Sequence, residues 1–321
     1  MEHPEKTTRV AVVGASGFVG GAVCFALKRH GAASLRVHAP RLRPVAARNL
    51  ANALREGAGV TAELARRFHG ADVVVNAAGV SQAGSDDIEG LLAANGLLPA
   101  VVAAAAHAAG VPRVIHISSG AVQGDMSMLD SSAHVQPFSP YSVSKAVGEQ
   151  GALRHHPGVV VYRPAGVQGV LRPVSRNLVR LSRTGLAMVA GDGAGNSPQA
   201  LIENVADAVA FLALSPTPPP QIVHHPSEGL SVGNLLELLG GRPPRRIPVG
   251  LARAVVGVLS AVGRVLPGVA ARRRRFEVMW FGQDQAPSWL TSAGWRPVVG
   301  PEGWRDLGAV LSRNADAAGQ R

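Results

Sequence analysis

Short runs of consecutive apolar residues alternate, through the first half of the chain, with longer stretches whose apolar positions recur every three or four residues. The runs at 10–14 (VAVVG), 35–38, 72–76 (DVVVN), 114–118 (VIHIS) and 159–162 predict strands. The stretches at 20–30, 91–109 and 141–155 predict helices, the second closed by Gly110 and Pro112. Strands that are apolar throughout, without polar alternation, are covered on both faces, and helices between them supply the cover. The expected fold class is α/β, a doubly wound parallel sheet.

The second half is less regular. Loop and helix signals mix over 172–195, and a helix at 202–214 returns to the sheet. The PTPPP segment at 216–220 is a rigid spacer before a short strand at 221–224. A helix at 232–239, a Pro/Arg turn, an apolar helix at 251–266 and a Trp-bearing tail follow, with the end after Ser312 expected to fray. This pattern assigns 1–170, joined by 201–226, to a doubly wound α/β domain. Residues 171–200 and 227–321 make a smaller, mixed lobe, in which Trp280, Trp289, Trp295 and Trp304 pack.

Composition narrows the classes. The 321 residues carry a net charge of +11, but 29 of the 32 cations are arginine and only Lys6, Lys28 and Lys145 are lysine. With 38 glycines and 23 prolines this reads as the bias of a GC-rich coding sequence, so the charge is not taken as a nucleic-acid footprint. The lone Cys24 excludes a disulfide framework and a multi-cysteine metal site. The pairs His155-His156 and His224-His225 lack a third ligand at workable spacing, so no metal is expected. The polar start, MEHPEKTTRV, leads directly into a strand and suggests no signal peptide and a cytoplasmic protein. In 251–266, Arg253 and Arg264 leave ten residues between them, fewer than the ~20 that cross a bilayer. A packed helix is preferred there to an interfacial amphipathic one, and no membrane span is expected.

Candidate chemistry lies at two places. The loop Gly14-Ala-Ser16-Gly17-Phe18-Val19-Gly20 joins the first strand to the first helix. There Gly14 permits a tight turn, Gly17 a close approach of phosphate, and Gly20 close helix–strand packing, with helix amides as the anion site. The end of the second strand, 37–43, has no acid for ribose hydroxyls but offers Arg41 and Arg43 for a 2′-phosphate. NADP(H) is therefore favoured, with Arg41 as the clamp and NAD as the alternative. The second place is Tyr141 and Lys145, one helical turn apart in a chain with only two tyrosines and three lysines. An ammonium so close lowers a phenol's pKa and fits it for proton exchange with a substrate oxygen. Ser139-Pro140 starts that helix, and Ser119, at a strand's carboxyl end, can hydrogen-bond the same oxygen.

Six segments occur together and in order: GASGFVG at 14–20, NAAG at 76–79, a helix bearing Asn95, SSGAVQG at 118–124, YSVSK at 141–145 and Arg163-Pro164. They make the chain resemble the extended short-chain dehydrogenase/reductase family, most of all its nucleotide-sugar epimerase/reductase branch. The likeness spans 8–170 and continues weakly through 202–207 to Gly294-Trp295. It implies a Rossmann domain in which Ser119, Tyr141 and Lys145 are the catalytic triad. Lys145 would also hold the nicotinamide ribose, and Asn95 would steady the lysine through water. Ala77, Ala78, Gly79 and Pro164 would border the cofactor. A nucleotide sugar would occupy the C-terminal lobe, its diphosphate met by Arg172, Arg176 or the arginines of 272–275. Homodimerisation through the Tyr/Lys helix is a further implication.

Departures from the family pattern also inform. Gln123 stands where the family has Tyr, and a second such element is Val167-Gln168-Gly169. The acidic residue expected near adenine after a third strand is replaced around 56–61. Gly120-Ala121 stands in place of the dehydratase Asp-Glu pair, which disfavours dehydration, and Cys24 is misplaced for an epimerase-reductase of the GDP-fucose type. The leading expectation is an NADP(H)-dependent reductase of a nucleotide-activated keto-sugar, such as a 4-keto-6-deoxyhexose. A NAD-dependent UDP-hexose 4-epimerase is the alternative. A non-catalytic dinucleotide-binding regulator comes third, since binding alone needs no tuned phenol.

Overall fold

In the computed structural model, residues 7–81, 87–263 and 267–319 are described, with side chains except at 263–272 and 315–319. The first half runs β1 (Arg9–Val13), α1 (Phe18–Arg29), β2 (Ala33–Val37), α2 (Leu50–Glu56), α3 (Ala58–Phe68), β3 (Val73–Asn76), α4 (Ile88–Leu91), a π-helical turn (Leu92–Leu97), α5 (Leu98–Ala108), β4 (Arg113–Ile117), β5 (Met128–Leu129), α6 (Pro140–His155) and β6 (Val159–Arg163). The second half runs β7 (Gly166–Gln168), α7 (Pro173–Ser182), β8 (Met188–Ala190), β9 (Gln199–Leu201), α8 (Ile202–Leu214), β10 (Ile222–His224), α9 (Val232–Gly240), β11 (Arg245–Ile247), α10 (Val249–Gly263), α11 (Pro267–Phe281), β12 (Asp284–Gln285), α12 (Trp289–Ser292) and α13 (Pro301–Gly319).

Six parallel strands form the main sheet in the order β2-β1-β3-β4-β6-β10. Successive side chains of β1 enter opposite cores. Val10 and Val12 join Leu27, Ile115 and Val209 on the side of α1 and α8. Ala11 and Val13 join Phe68, Val74 and Val101 on the side of α3 and α5. This two-sided burial is why the strands read as unbroken apolar runs.

One expectation is corrected at the sheet edge. Residues 56–61, read as following a third strand, instead span the end of α2 and the first turn of α3. Among the described residues no strand lies between β2 and β3, so β2 is the edge strand, and four of its five residues are exposed. The expected single helix over 91–109 is also broken by the π turn that carries Asn95. The run Ile88–Ala108 is long and apolar enough to cross a membrane, yet 72% of its most apolar stretch is buried inside the protein. It is a core helix.

Three small parallel pairs, β8–β11, β7–β9 and β5–β12, tie the later segments together. Trp304 centres a cluster with Leu235, Leu239 and Leu307, and Trp280 packs with Ala252 and Val256. Trp289 and Trp295 were expected in the same lobe, but they pack on the α1/α8 side of the main sheet, where Trp295 Nε1 donates to Asp207 Oδ2 at 2.9 Å. The tyrosine outside the YSVSK segment is also accounted for: buried Tyr162 shares a 2.6 Å hydrogen bond with His225 Nδ1. The stretch after Ser312, expected to fray, continues as helix to Gly319.

Two glycines make opposite demands. A Cβ on Gly148 of α6 would stand 1.9 Å from the Asn95 carbonyl oxygen and 3.0 Å from Pro99 Cγ, so this glycine sets how closely α6 approaches the π turn. A Cβ on Gly257 of α10 would meet nothing within 4 Å. Gly148→Ala is therefore expected to destabilise the protein by about 1–3 kcal/mol. Gly257→Ala should stabilise it by about 0.5–1 kcal/mol through helix propensity. Denaturant unfolding of both variants checks the pair, and equal effects would refute the packing account.

Candidate active site

Two elements deliver the central side chains. Past the end of β4 the chain stays registered with the segment after β6, because Ser118 N donates to Tyr162 O and Gly120 N to Pro164 O, each at 2.7 Å. This presents Ser119 at the carboxyl edge of the sheet. Helix α6 starts with a capping box in which Ser139 Oγ accepts from Ser142 N at 3.2 Å and Ser142 Oγ accepts from Ser139 N at 2.9 Å. Pro140 fills the first turn, so Tyr141 stands at the helix mouth and Lys145 one turn deeper.

The Tyr141 hydroxyl hydrogen-bonds to Ser119. Burial raises its pKa above the usual phenol value, while the Ser119 bond and the Arg172 guanidinium pull it back down. The sequence assigned that lowering to Lys145. In the structure Lys145 Nζ donates to Ile117 O at 3.0 Å, and the cation acting on the phenol is Arg172. Burial brings Lys145 itself down to about 8, and the carboxylate of Glu149, one turn further along α6, partly restores it. Glu149 is held in turn by Arg163, through Nε to Oε1 at 3.0 Å and Nη2 to Oε2 at 2.7 Å, and it accepts from Ser118 Oγ at 2.5 Å. Both partners of this ion pair are almost wholly buried, with side chains 1% and 4% exposed.

Behind the lysine, Asn95 closes the loop after β3. Its Oδ1 accepts from Val80 N at 2.9 Å, and its Nδ2 donates to Val80 O at 3.0 Å and Ser144 Oγ at 3.2 Å. Gly79 belongs to the same cluster, since a Cβ there would come within 2.6 Å of Asn95 Oδ1 and 3.5 Å of Lys145 Nζ. His116 on β4 is also buried. Its Nδ1 faces Asn76 Nδ2 at 3.3 Å, and its Nε2 has no partner among the described residues. Burial and the Lys145 charge hold its pKa down to about 3, so it is a neutral ring. Gln123, in the position of the family's Tyr, is buried. It donates to Asp130 Oδ1 at 2.6 Å and His134 O at 3.0 Å, which fastens the loop that leads to α6.

A cavity of about 570 Å³ joins these groups. Of the residues singled out from sequence, Gly17, Phe18, Val19, Ala77, Ala78, Gly79, Ser119, Tyr141, Lys145 and Pro164 line it. Gly14 and Ser16 lie in the adjoining loop and Gly20 in the first turn of α1, and Asn95 sits behind the wall. Arg41 is brought to none of these: it stands exposed on the loop after β2. Arg172, Arg274 and Arg275 reach the wall. Arg176, one turn along α7, is exposed and does not reach it. Arg273 is paired with Asp125 and Glu277, and Arg274 is committed to the Gly124 and Met126 carbonyls and to Glu277. The side chain of Arg272 lies outside the described residues. Sequence reasoning missed Glu149, although Tyr-x3-Lys-x3-Glu on one helix face signals it. It also missed the apolar far wall of Leu235, Leu236, Val278 and Met279.

The glycine loop fits a dinucleotide pyrophosphate. Gly14 has φ +80°, and a Cβ on Gly20 would lie 2.2 Å from Gly14 O, so α1 starts as near the loop as backbone allows. The N-cap Gly17 has no side chain to occupy the first-turn amides, which leaves that end of α1 open to an anion. Among the described residues, no group of three or more His, Cys, Asp or Glu side chains could hold a metal ion.

A family model, the NAD dependent epimerase/dehydratase family, matches residues 10–215. No curated protein sequence gives a significant match. Among solved structures, the chain is similar to the UDP-glucuronic acid 4-epimerase from Bacillus cereus in complex with NAD, at a TM-score of 0.65 and 18% identity, over 95% of this chain and 97% of that one. A NAD-dependent NDP-hexosamine 5,6-dehydratase of tunicamycin biosynthesis is similar at a TM-score of 0.64 and 22% identity, over 96% and 98% of the two chains. The dTDP-4-dehydrorhamnose reductase from Bacillus anthracis in complex with NADP is similar at 0.60 and 14%, over 95% and 99%.

The buried ion pair gives a direct test. Arg163→Met leaves the Glu149 carboxylate buried without its partner, and should destabilise the protein by about 3–5 kcal/mol. The double variant Glu149→Gln/Arg163→Met should recover much of that loss, because no bare charge remains. Urea unfolding of both variants measures it, and a single variant as stable as the parent would overturn the assignment.

Proposed function

The chain belongs to the NAD-dependent epimerase/dehydratase family, and from that premise we propose that it uses NADP(H) to reduce the keto group of a nucleotide-activated sugar. The observation that carries this reading is Tyr141. It is a partly buried phenol whose pKa is raised, so that it stays protonated in the neutral range, bonded to Ser119 and flanked by Arg172, at a cavity shared with the glycine loop. A phenol in that state is a proton donor, as reduction of a carbonyl requires. The loop after β2 supports the cofactor choice, since residues 38–46 include no acid and carry Arg41 and Arg43.

When bound, a reduced nicotinamide would supply hydride for the carbonyl carbon. Tyr141 gives its proton to the carbonyl oxygen, which becomes the product hydroxyl, while Ser119 hydrogen-bonds and orients that same oxygen. Arg172 stabilises the phenolate left behind, while Lys145, donating to Ile117 O, would hold the nicotinamide ribose, with Asn95 and Gly79 beside it. Residues 1–170 with 201–226 would hold the dinucleotide, and 171–200 with 227–321 the sugar nucleotide. On that wall Arg172 and Arg275 are cations for a diphosphate, and Leu235, Leu236, Val278 and Met279 suit the methyl of a 6-deoxy-4-ketohexose.

NADPH oxidation in step with loss of a TDP- or UDP-4-keto-sugar is the expected result with purified protein. Conversion of UDP-glucose to UDP-galactose without net cofactor change would establish the epimerase reading instead. Tyr141→Phe should reduce turnover by at least about 10²-fold and leave cofactor affinity nearly unchanged. Arg41→Ala should raise KM for NADPH well beyond its effect on NADH.

The pH profile is a further check. Lys145 must be cationic, so kcat should fall as pH rises through about 8. Glu149→Gln removes the charge that holds this pKa up, and the alkaline limb should move to lower pH. A limb that stays in place would show that Lys145 does not set it.

A further inference from the structure

The positive charge of the chain is not spread evenly. Between Glu237 and Glu277 there are nine arginines and no acidic residue, so this single segment supplies +9 against a net charge of +11 for the whole chain. The helical hairpin of α10 and α11 occupies most of it. One side of α10 is packed: Ala252 and Val256 are buried against Trp280 and Met279. The other side is open and apolar. Leu251, Val255, Val258 and Val262 follow one another at helical spacing along one stripe, and they are 56%, 37%, 64% and 41% exposed. A stripe of that kind has no purpose facing water. Arg253, the one charged residue of α10, is exposed, as are Arg242, Arg245 and Arg246 in the segment leading into it.

We propose that this face docks on an anionic phospholipid surface. Helix α10 would lie in the plane of the headgroups, with Leu251, Val255, Val258 and Val262 inserted and Arg242, Arg245 and Arg246, from the segment leading into the helix, at the lipid phosphates, while Arg253 on the opposite side of the helix faces away. Length supports lying over spanning: fifteen residues rise about 22 Å, short of the ~30 Å hydrocarbon core. Charge distinguishes the occupant. A second copy of the chain would bring the same acid-free, arginine-rich segment against itself, which like charges oppose. An anionic lipid surface offers the apolar depth and the negative charge together.

The test is co-sedimentation of the full chain with vesicles of phosphatidylcholine alone and of phosphatidylcholine mixed with phosphatidylglycerol. Partition should be at least about tenfold stronger onto the phosphatidylglycerol vesicles and should weaken as salt is raised. Val255→Asp/Val258→Asp should cost about tenfold in that partition, and Arg245→Gln/Arg246→Gln should reduce its salt dependence. Both variants should keep the parent's melting temperature and NADPH affinity, since none of these residues touches the cavity. Three results would each overturn the proposal: no preference for phosphatidylglycerol, the Val255/Val258 variant binding as the parent does, or a stripe variant that changes oligomeric state without vesicles. The last would make the stripe a contact between copies.

Discussion

The arrangement around the cavity depends on the pairing of Arg163 with Glu149. It joins the last residue of β6 to the third turn of α6, so the helix carrying Tyr141 and Lys145 cannot rotate or slide without separating two buried charges. The same carboxylate takes the Ser118 hydroxyl, which lies next to Ser119 in the chain. The remaining arm of Arg163 donates to Ser132 O at 2.7 Å and so fastens the loop ahead of α6. One ion pair thus sets the helix, the serine and the loop, and its field acts on Lys145.

How much of this was legible in sequence follows from where each signal originates. The inner strands of the main sheet were readable because burial on both faces writes an unbroken apolar run. Helices α2 and α3 were not, because Gly57 and Gly59 interrupt their pattern and α2 buries no residue. The strands of two or three residues at β5, β7, β8, β9, β11 and β12 are too short to carry a period. Tyr141 and Lys145 stood out because their residue types are scarce in this chain. Glu149 did not, since its meaning comes from Arg163, fourteen residues on and across the sheet. The arginines were hardest, being so common. It took the cavity wall to separate Arg172 from Arg176, which is one turn along the same helix and points to solvent.

The two walls of the cavity differ in character. The wall formed by β4, α6 and the glycine loop is rigid, polar and densely hydrogen-bonded. The far wall, from α7, α9 and α11, is mostly aliphatic with arginine at intervals. Rigid polar groups suit the reacting atoms, where angles decide rate. An aliphatic wall tolerates changes of side chain, so the choice of substrate can drift while the chemistry stays fixed.

The shortened sheet edge leaves the loop at 38–46 open to change at its exposed positions. It begins where Val37 leaves its pairing with Val13, and it is re-anchored where Val45 N donates to Glu89 O at 3.2 Å. Among the described residues no strand lies beyond it to be disturbed. The exposed positions between those two anchors, Arg41 and Arg43 among them, can therefore be changed in charge without re-engineering the sheet, so long as Ala39, Leu42 and Val45 keep their packing against the core.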